Sequence, residues 1–431
     1  MARRHFSCLL TVYKLISHFL REQENTENTI LRYNAGERSK AVSKTKYLQL
    51  NRRLEAILPM YGNKNIIQTR KYASHRDAPK SFSKAVSDAE KLVGYPTSFL
   101  SLRCLLSDEV SNIAYHMRKL VGTKHPLLKT ARGMVFDGKN NLQIRGLLVM
   151  LVSKAAGPNS QAPYTEQDMI SGVYPSQRAL AEITEVIYTA SLIHKGIVNL
   201  KDIVPEDGPL IDMEFGNKMA VLSGDYLLSS ACSGLAKLGN PDVVDLVARA
   251  IGDMMTAEFT EFTETFETTN TSQISTRFTD WLKQTRLSLG SLLAHSCRSA
   301  MTLAGHSKYL EEMAFSFGEN VIYAQQLCKE ITSFTNQDEQ TSQSPGSLAP
   351  VVLFRELASE DEMSYLLNYS PDSVYSYNKL LNVVRRTGAL EKCQDLCVQY
   401  RNKAIASLDC FKESDAKLAL INMVTAISSI K

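Results

Sequence analysis

Residues 178–199 read RALAEITEVIYTASLIHKGIVN, and the fold turns on this stretch. Ile183, Val186, Ile187, Ala190, Ile193 and Ile197 recur at i, i+3, i+4 and i+7, the spacing that lines one face of an α-helix with about 3.6 residues per turn. The pattern predicts a buried helix. Its C-terminal end carries His194, Lys195, Gly196 and Asn199, at the place where a long core helix delivers polar side chains into a cavity.

The same periodicity continues on both sides of this stretch. Residues 87–93, 100–121, 142–156, 220–238, 243–259, 281–304 and 313–334 each read as helix, as do 373–387, 390–408 and 414–430 near the end. Breakers fall between them: Gly94-Tyr95-Pro96, Gly157-Pro158, Asp207-Gly208-Pro209 and Gly239-Asn240-Pro241. Pro241 followed by Asp242 suits a first helical turn, where a missing amide costs nothing and a carboxylate meets the positive end of the helix dipole. Residues 260–277, rich in Thr and Glu, and the polar stretch 335–347 read as loops inserted into one all-helical domain spanning 81–431. Strand patterns are nearly absent, so the fold class is all-α. Within 390–408, Cys393, Leu396, Cys397, Tyr400 and Ala404 form one stripe, read as core and not as a metal site.

Composition removes several function classes. The longest apolar run, 146–152, has seven residues, far below the roughly 20 needed to span a bilayer, so no transmembrane segment is expected. The formal charge of +4 conceals an asymmetry: residues 1–80 hold 16 Lys and Arg against 6 Asp and Glu, and the remainder holds 33 against 39. A mildly acidic body argues against nucleic acid as a partner. Eight cysteines include no CxxC pair and no His spacing that suggests zinc; they read as core thiols of a reducing compartment.

Residues 1–21 carry Arg3, Arg4, Lys14 and Arg21 with no acid, while Phe6, Leu9, Leu10, Tyr13, Ile16 and Leu20 fall largely on one helical side. That is the composition of a mitochondrial presequence; an ordinary amphipathic surface helix has the same pattern. Residues 22–80 are polar, basic and weakly periodic, and read as a removed or disordered leader.

Three strings, AEITEVIYTASLIH (181–194), AVLSGDYLLSSAC (220–232) and FGENVIYAQQL (317–327), occur in an order that resembles the trans-polyprenyl diphosphate synthases. The resemblance runs from about Ser87 to the C-terminus and implies an isoprenoid-synthase-like helical bundle around a central cavity. Members of that family carry two DDxxD motifs at facing helix ends. Aspartates at i, i+1 and i+4 converge there on magnesium ions, which neutralise the charge developing on the leaving diphosphate.

Here both motifs are gone. The first falls on residues 195–199, so its aspartate positions hold Lys195, Gly196 and Asn199; the second falls on residues 329–333, with Lys329, Glu330 and Ser333. The arginines that follow the first motif correspond to Glu206 and Asp207, which repel a diphosphate, and the Lys-Thr pair of a later helix corresponds to Ser288 and Leu289. A GKxxRP-like string is reduced to Gly138-Lys139 and then Arg145 followed by Gly146. Lys139 and Arg145 have two readings, residual diphosphate ligands or a solvated loop lysine and a surface arginine. Gln326 matches a family glutamine near the second motif, as a diphosphate contact or a vestige. His194 reads as helix-end packing or a hydrogen bond, and a further reading makes Lys195 or His194 the acid or base of a self-sufficient enzyme. Asp225 beside Gly224 reads as a cavity-facing acid or as a helix-start or hydrogen-bonded residue, and Cys328 as a core thiol or as one whose pKa the neighbouring Lys329 lowers.

This pattern resembles the non-catalytic subunits of mitochondrial decaprenyl and solanesyl diphosphate synthases. The resemblance implies a heterotetramer with a catalytic homologue that holds the magnesium, a place in the mitochondrial matrix or at the periphery of the inner membrane, and a product that becomes the ubiquinone side chain. The chain alone would be inactive, with no catalytic residue and no metal of its own. A different class of function fits the same erosion: a non-enzymatic protein that uses the fold to bind or sequester a prenyl lipid.

Overall fold

The computed structural model describes residues 82–94, 123–128, 130, 144–159, 169–267, 277–335, 347–359, 362 and 374–428. The chain divides into two units, Met1–Ala78 and Pro79–Lys431, and every described residue lies in the second. The leader, the helix expected over 100–121, and Lys139 fall outside the described residues.

Twelve α-helices follow one another among the described residues: α1 (Phe82–Val93), α2 (Arg145–Ala156), α3 (Pro175–His194), α4 (Leu210–Leu238), α5 (Pro241–Glu267), α6 (Phe278–Thr285), α7 (Ser291–Leu303), α8 (Lys308–Thr335), α9 (Ala349–Leu357), α10 (Val374–Arg386), α11 (Ala389–Ala406) and α12 (Asp415–Ile427). The only extended pairing among these residues is an isolated bridge between Ile170 and Val173. The fold is all-α, as the periodicity predicts.

α7 lies at the centre, packed on α2, α3, α5 and α8. Most residues of α7 are buried, and Ser296 Oγ lies 2.8 Å from Thr184 Oγ1 of α3. Gln177 of α3 donates to the Ala300 carbonyl at 2.9 Å. α4 packs chiefly on α3, α1 and α12 cover α2, and α11 lies along α8. In α2, Leu147 to Val152 have no exposed surface, so the longest apolar run of the sequence is a helix buried on all sides. A second part of the core joins Trp281, Phe334, Leu353, Val384 and Cys393 from α6, α8, α9, α10 and α11. No described helix is long and apolar enough to cross a membrane.

The structure corrects several boundaries. α5 begins at Pro241 as predicted but continues to Glu267, so the first eight residues of the expected 260–277 loop are helical. Glu is a good helix former, and Thr256 and Thr260 return their hydroxyls to the carbonyls four residues earlier, at 2.9 Å each. A polar composition therefore does not interrupt the ladder. Of the 335–347 stretch, Thr335 closes α8 and residues 336–346 lie outside the described residues. The helix expected over 281–304 is interrupted by a π-helical turn at Arg286–Gly290, which holds Ser288 and Leu289. α3 stops at His194, five residues before Asn199.

Candidate functional site

The end of α3 is where the resemblance sets the first motif. Beyond His194 the chain turns, and Asn217 of α4 fixes it: the Val198 amide donates to Asn217 Oδ1 at 2.8 Å, and Asn217 Nδ2 donates to the Val198 carbonyl at 2.8 Å. The same Oδ1 lies 3.2 Å from His125 Nε2, while the Leu127 amide donates to His125 Nδ1 at 3.1 Å. With Nδ1 accepting, Nε2 carries the proton, so His125 is neutral; burial also holds its pKa below the ordinary value, and the Asn217 bond opposes that shift. Asn217 thus ties residues 125–127, 198 and α4 together.

Two histidines approach α4 where it has no side chain. A Cβ on Gly216 would lie 2.4 Å from the His125 ring, and one on Gly224 would lie 2.1 Å from His194. His194 Nε2 is 3.3 Å from Asp225 Oδ1. Gly224 and Asp225 therefore sit in the middle of α4, which starts at Leu210, and not at a helix start as the sequence suggested. His194, read as helix-end packing or a hydrogen bond, closes α3 against Gly224 and Asp225 of α4.

The three residues read as replacing the first motif's aspartates have other surroundings. Lys195 Nζ is 2.6 Å from Glu258 Oε1 of α5, with both side chains about two-fifths exposed. Gly196 brings no side chain, and a Cβ there would lie 3.5 Å from the Leu127 amide. Asn199 Nδ2 donates to Asp202 Oδ2 at 2.7 Å and its Oδ1 accepts the Lys201 amide at 3.3 Å, a local turn. Asp207, which stands where the family has an arginine, binds residue 124: its carbonyl accepts the Lys124 amide at 2.8 Å, and its carboxylate lies 3.4 Å from Lys124 Nζ. Glu206 is exposed beside it.

The second motif has the opposite character. Lys329 is exposed, whereas Glu330 and Ser333 are buried in α8. Glu330 Oε2 accepts Trp281 Nε1 of α6 at 3.0 Å and the Ala349 amide, at the first position of α9, at 2.6 Å; Oε1 accepts Gln326 Nε2 at 2.6 Å. Burial raises the Glu330 carboxyl above the ordinary range, and the three donors pull it back. Gln326, a candidate diphosphate contact, has its amide on Glu330 inside the core.

Arg145 is the first residue of α2 and is 6% exposed. Its guanidinium lies 3.4 Å from the centre of the Tyr188 ring, a cation–π contact. The reading as a surface arginine is therefore wrong: the apolar wall of α3 covers it. Sequence reasoning missed its neighbour Glu185, fully buried on α3, whose Oε1 accepts the Gly146 amide at 2.6 Å. Burial pushes the Glu185 carboxyl up to about 7, against the hydrogen bonds of the α2 amino end and the Arg145 charge. Gly146 is required there, since a Cβ would meet the Ala181 carbonyl at 2.8 Å and Glu185 Cγ at 2.9 Å. A signal was present in the sequence: of the two acids in AEITEVIY, Glu185 stands directly before Val186 and Ile187 on the apolar stripe.

The magnesium that the resemblance implies for the family needs several converging oxygen ligands. An ammonium at Lys195, no side chain at Gly196, an amide turned to Asp202 and a carboxylate enclosed by three donors do not fit it. Among the described residues no three His, Cys, Asp or Glu side chains gather into a metal-binding group.

Comparison with known proteins places this geometry. The profile of the family described as polyprenyl synthetase matches residues 126–347. A human protein named all trans-polyprenyl-diphosphate synthase PDSS2 is 45% identical over 354 residues, covering 81% of this chain and 88% of the human one. A Neurospora crassa protein named probable hexaprenyl pyrophosphate synthase, mitochondrial, is 28% identical over 365 residues, covering 76% of this chain and 80% of its own. The apo form of an Arabidopsis medium/long-chain length prenyl pyrophosphate synthase superposes with a TM-score of 0.52 at 25% identity, over 76% of this chain and 99% of that one. The chain belongs to the polyprenyl synthetase family.

Proposed function

We propose that this chain is the non-catalytic subunit of a heteromeric all-trans-polyprenyl diphosphate synthase in mitochondria. Its catalytic homologue condenses isopentenyl diphosphate with an allylic diphosphate, and the product becomes the ubiquinone side chain. One observation carries the reading: the residues at both former aspartate clusters are engaged by this chain's own side chains and backbone, Lys195 by Glu258, Asn199 by Asp202 and Glu330 by Trp281, Gln326 and Ala349. A fold kept intact around two such ends serves assembly. In the heterotetramer we propose, magnesium and the leaving diphosphate belong to the partner, and this chain contributes interface and cavity wall. The mitochondrial name of the Neurospora crassa relative supports the location, which we place in the matrix, at most peripheral to the inner membrane.

Isolation of the chain from mitochondria under mild conditions, followed by identification of co-purifying chains and measurement of native mass, tests this. The expected result is an assembly containing a homologous synthase with intact aspartate motifs. A monomer without any synthase partner contradicts it and favours a protein that binds a prenyl lipid outside any synthase.

A further inference from the structure

We propose that Arg145 is a two-position switch set by the proton on Glu185: its guanidinium lies over Tyr188 while Glu185 is neutral, and pairs with Glu185 Oε2 once that proton leaves. The switch goes beyond the subunit assignment and does not depend on it. Glu185 is 2% and Arg145 6% exposed, and each keeps one buried polar atom without a hydrogen-bond partner, Oε2 of the carboxyl and Nε of the guanidinium. The two atoms are complementary, one acceptor and one donor, and the chain sets them within reach of each other. Gly146 N, bonded to the Arg145 carbonyl carbon, is 2.6 Å from Glu185 Oε1. Standard backbone lengths then place the Arg145 Cα at most about 5 Å from that oxygen, less than an arginine side chain spans.

In the position described, the guanidinium is instead 3.4 Å from the centre of the Tyr188 ring. The ring face attracts the charge but offers Nε no acceptor. That position suits a neutral Glu185. Oε1 is the oxygen that receives the Gly146 amide, so the proton rides on Oε2 and no bare anion is buried. When the proton leaves, Oε2 becomes a buried anionic oxygen without a donor, a costly arrangement for a carboxylate. The Gly146 amide cannot turn to it, being fixed in the backbone at the first turn of α2. The Arg145 Nε–H is the free donor at hand, and rotation about the side-chain bonds brings it over as a charge-assisted hydrogen bond. Helices α2, α4 and α7 all pack on α3. Among the described residues the only charge that acts on Glu185 is that of Arg145; Arg178, Glu182 and His194 of α3, Asp225 of α4, and His295 and Arg298 of α7 do not. Burial holds the carboxyl up to about 7, so the change falls near neutral pH. The switch decides whether the positive charge at the start of α2 stands over an aromatic ring or is neutralised by an internal partner.

The test is a pair of crystal structures of the chain in its native assembly, at pH about 5.5 and about 8.5, on either side of the Glu185 value of about 7. The expected result is the guanidinium over Tyr188 at the lower pH and, at the higher, a guanidinium nitrogen about 2.8 Å from Glu185 Oε2. In Glu185→Gln the guanidinium should stay over Tyr188 at both pH values. In Tyr188→Leu, which removes the ring, the pH at which the melting temperature responds to Glu185 should fall by about one unit or more. The proposal is overturned if Arg145 stays over Tyr188 at both pH values in the wild type, with Oε2 bare or bonded to a water, or if the ion pair is present at both. Movement of Arg145 with pH in Glu185→Gln, or an unshifted response in Tyr188→Leu, overturns it as well. The wild-type pair of structures decides the matter even where a variant fails to fold.

Discussion

At the end of α3, Lys195 meets Glu258 with both side chains about two-fifths exposed, whereas on α8 Glu330 is enclosed by Trp281, Gln326 and the amino end of α9. The resemblance sets the family's aspartate clusters at these two places, and the two are held in different ways. The α3 end is held by backbone clamping through Asn217 and a weak surface pair. The α8 position has become a core fastening between three helices. Glu185 repeats the second solution on α3, since it also carries a buried carboxylate to the amino end of another helix. One place is thus a partly exposed end and the other a buried acid with three donors, and the two are expected to respond differently to mutation.

The largest effect belongs to Glu330. Glu330→Ala leaves the Trp281 indole, the Ala349 amide and the Gln326 amide without their acceptor, and a cost of about 4 kcal/mol is expected, at about 1–3 kcal/mol per stranded buried donor with partial relaxation. Chemical denaturation measures it; a loss below about 1 kcal/mol would remove the distinction between the two ends.

Next is the pH response of Glu185. Its carboxyl is raised from 4.5 to about 7 in the folded chain, so between those values the folded state holds a proton that the unfolded state has released. Its contribution to stability is fully present below about 4.5 and is lost as pH rises towards about 7. The loss is about 3 kcal/mol at roughly 1.4 kcal/mol per pKa unit. Denaturation midpoints across that window should fall with pH in the wild type, and the Glu185 share of the slope should vanish in Glu185→Gln. An identical slope in the variant would contradict the assignment.

Asn217→Ala removes both bonds to Val198 and the contact with His125, for an expected cost of about 2 kcal/mol. Hydrogen exchange at the Val198 amide should rise in parallel. At the bottom of the order, Lys195→Ala breaks an exposed pair and should cost less than about 1 kcal/mol in a thermal melt. A larger loss would mean that the α3 end is fastened as tightly as the α8 position.

Helix faces were legible because burial imposes a period on the sequence: the stripe from Ile183 to Ile193 lies on the α3 core face, and Ser414 caps α12 by accepting the Lys417 amide. The stop of α3 at His194 was not legible, because Ile197 continues the apolar period while the turn is set by Asn217, 18 or more residues away along the chain. The reading that both motifs are lost rests on Lys195, Gly196, Asn199, Lys329 and Ser333 taken together with the family resemblance. The inward direction of Glu330 and the partners of Lys195 could not, since both depend on which helices pack together. Glu258 and Trp281 come from elements with no local sequence link to the motifs.

On the proposed function, this chain makes no product by itself and acts through a catalytic homologue. Long-chain polyprenyl diphosphate synthesis is measured with magnesium, isopentenyl diphosphate and an allylic diphosphate, for the chain alone, the homologue alone and the two together. The account predicts no product from this chain alone and a large gain when it joins the homologue. Product from the chain alone, or equal synthesis by the homologue with and without it, would contradict the account.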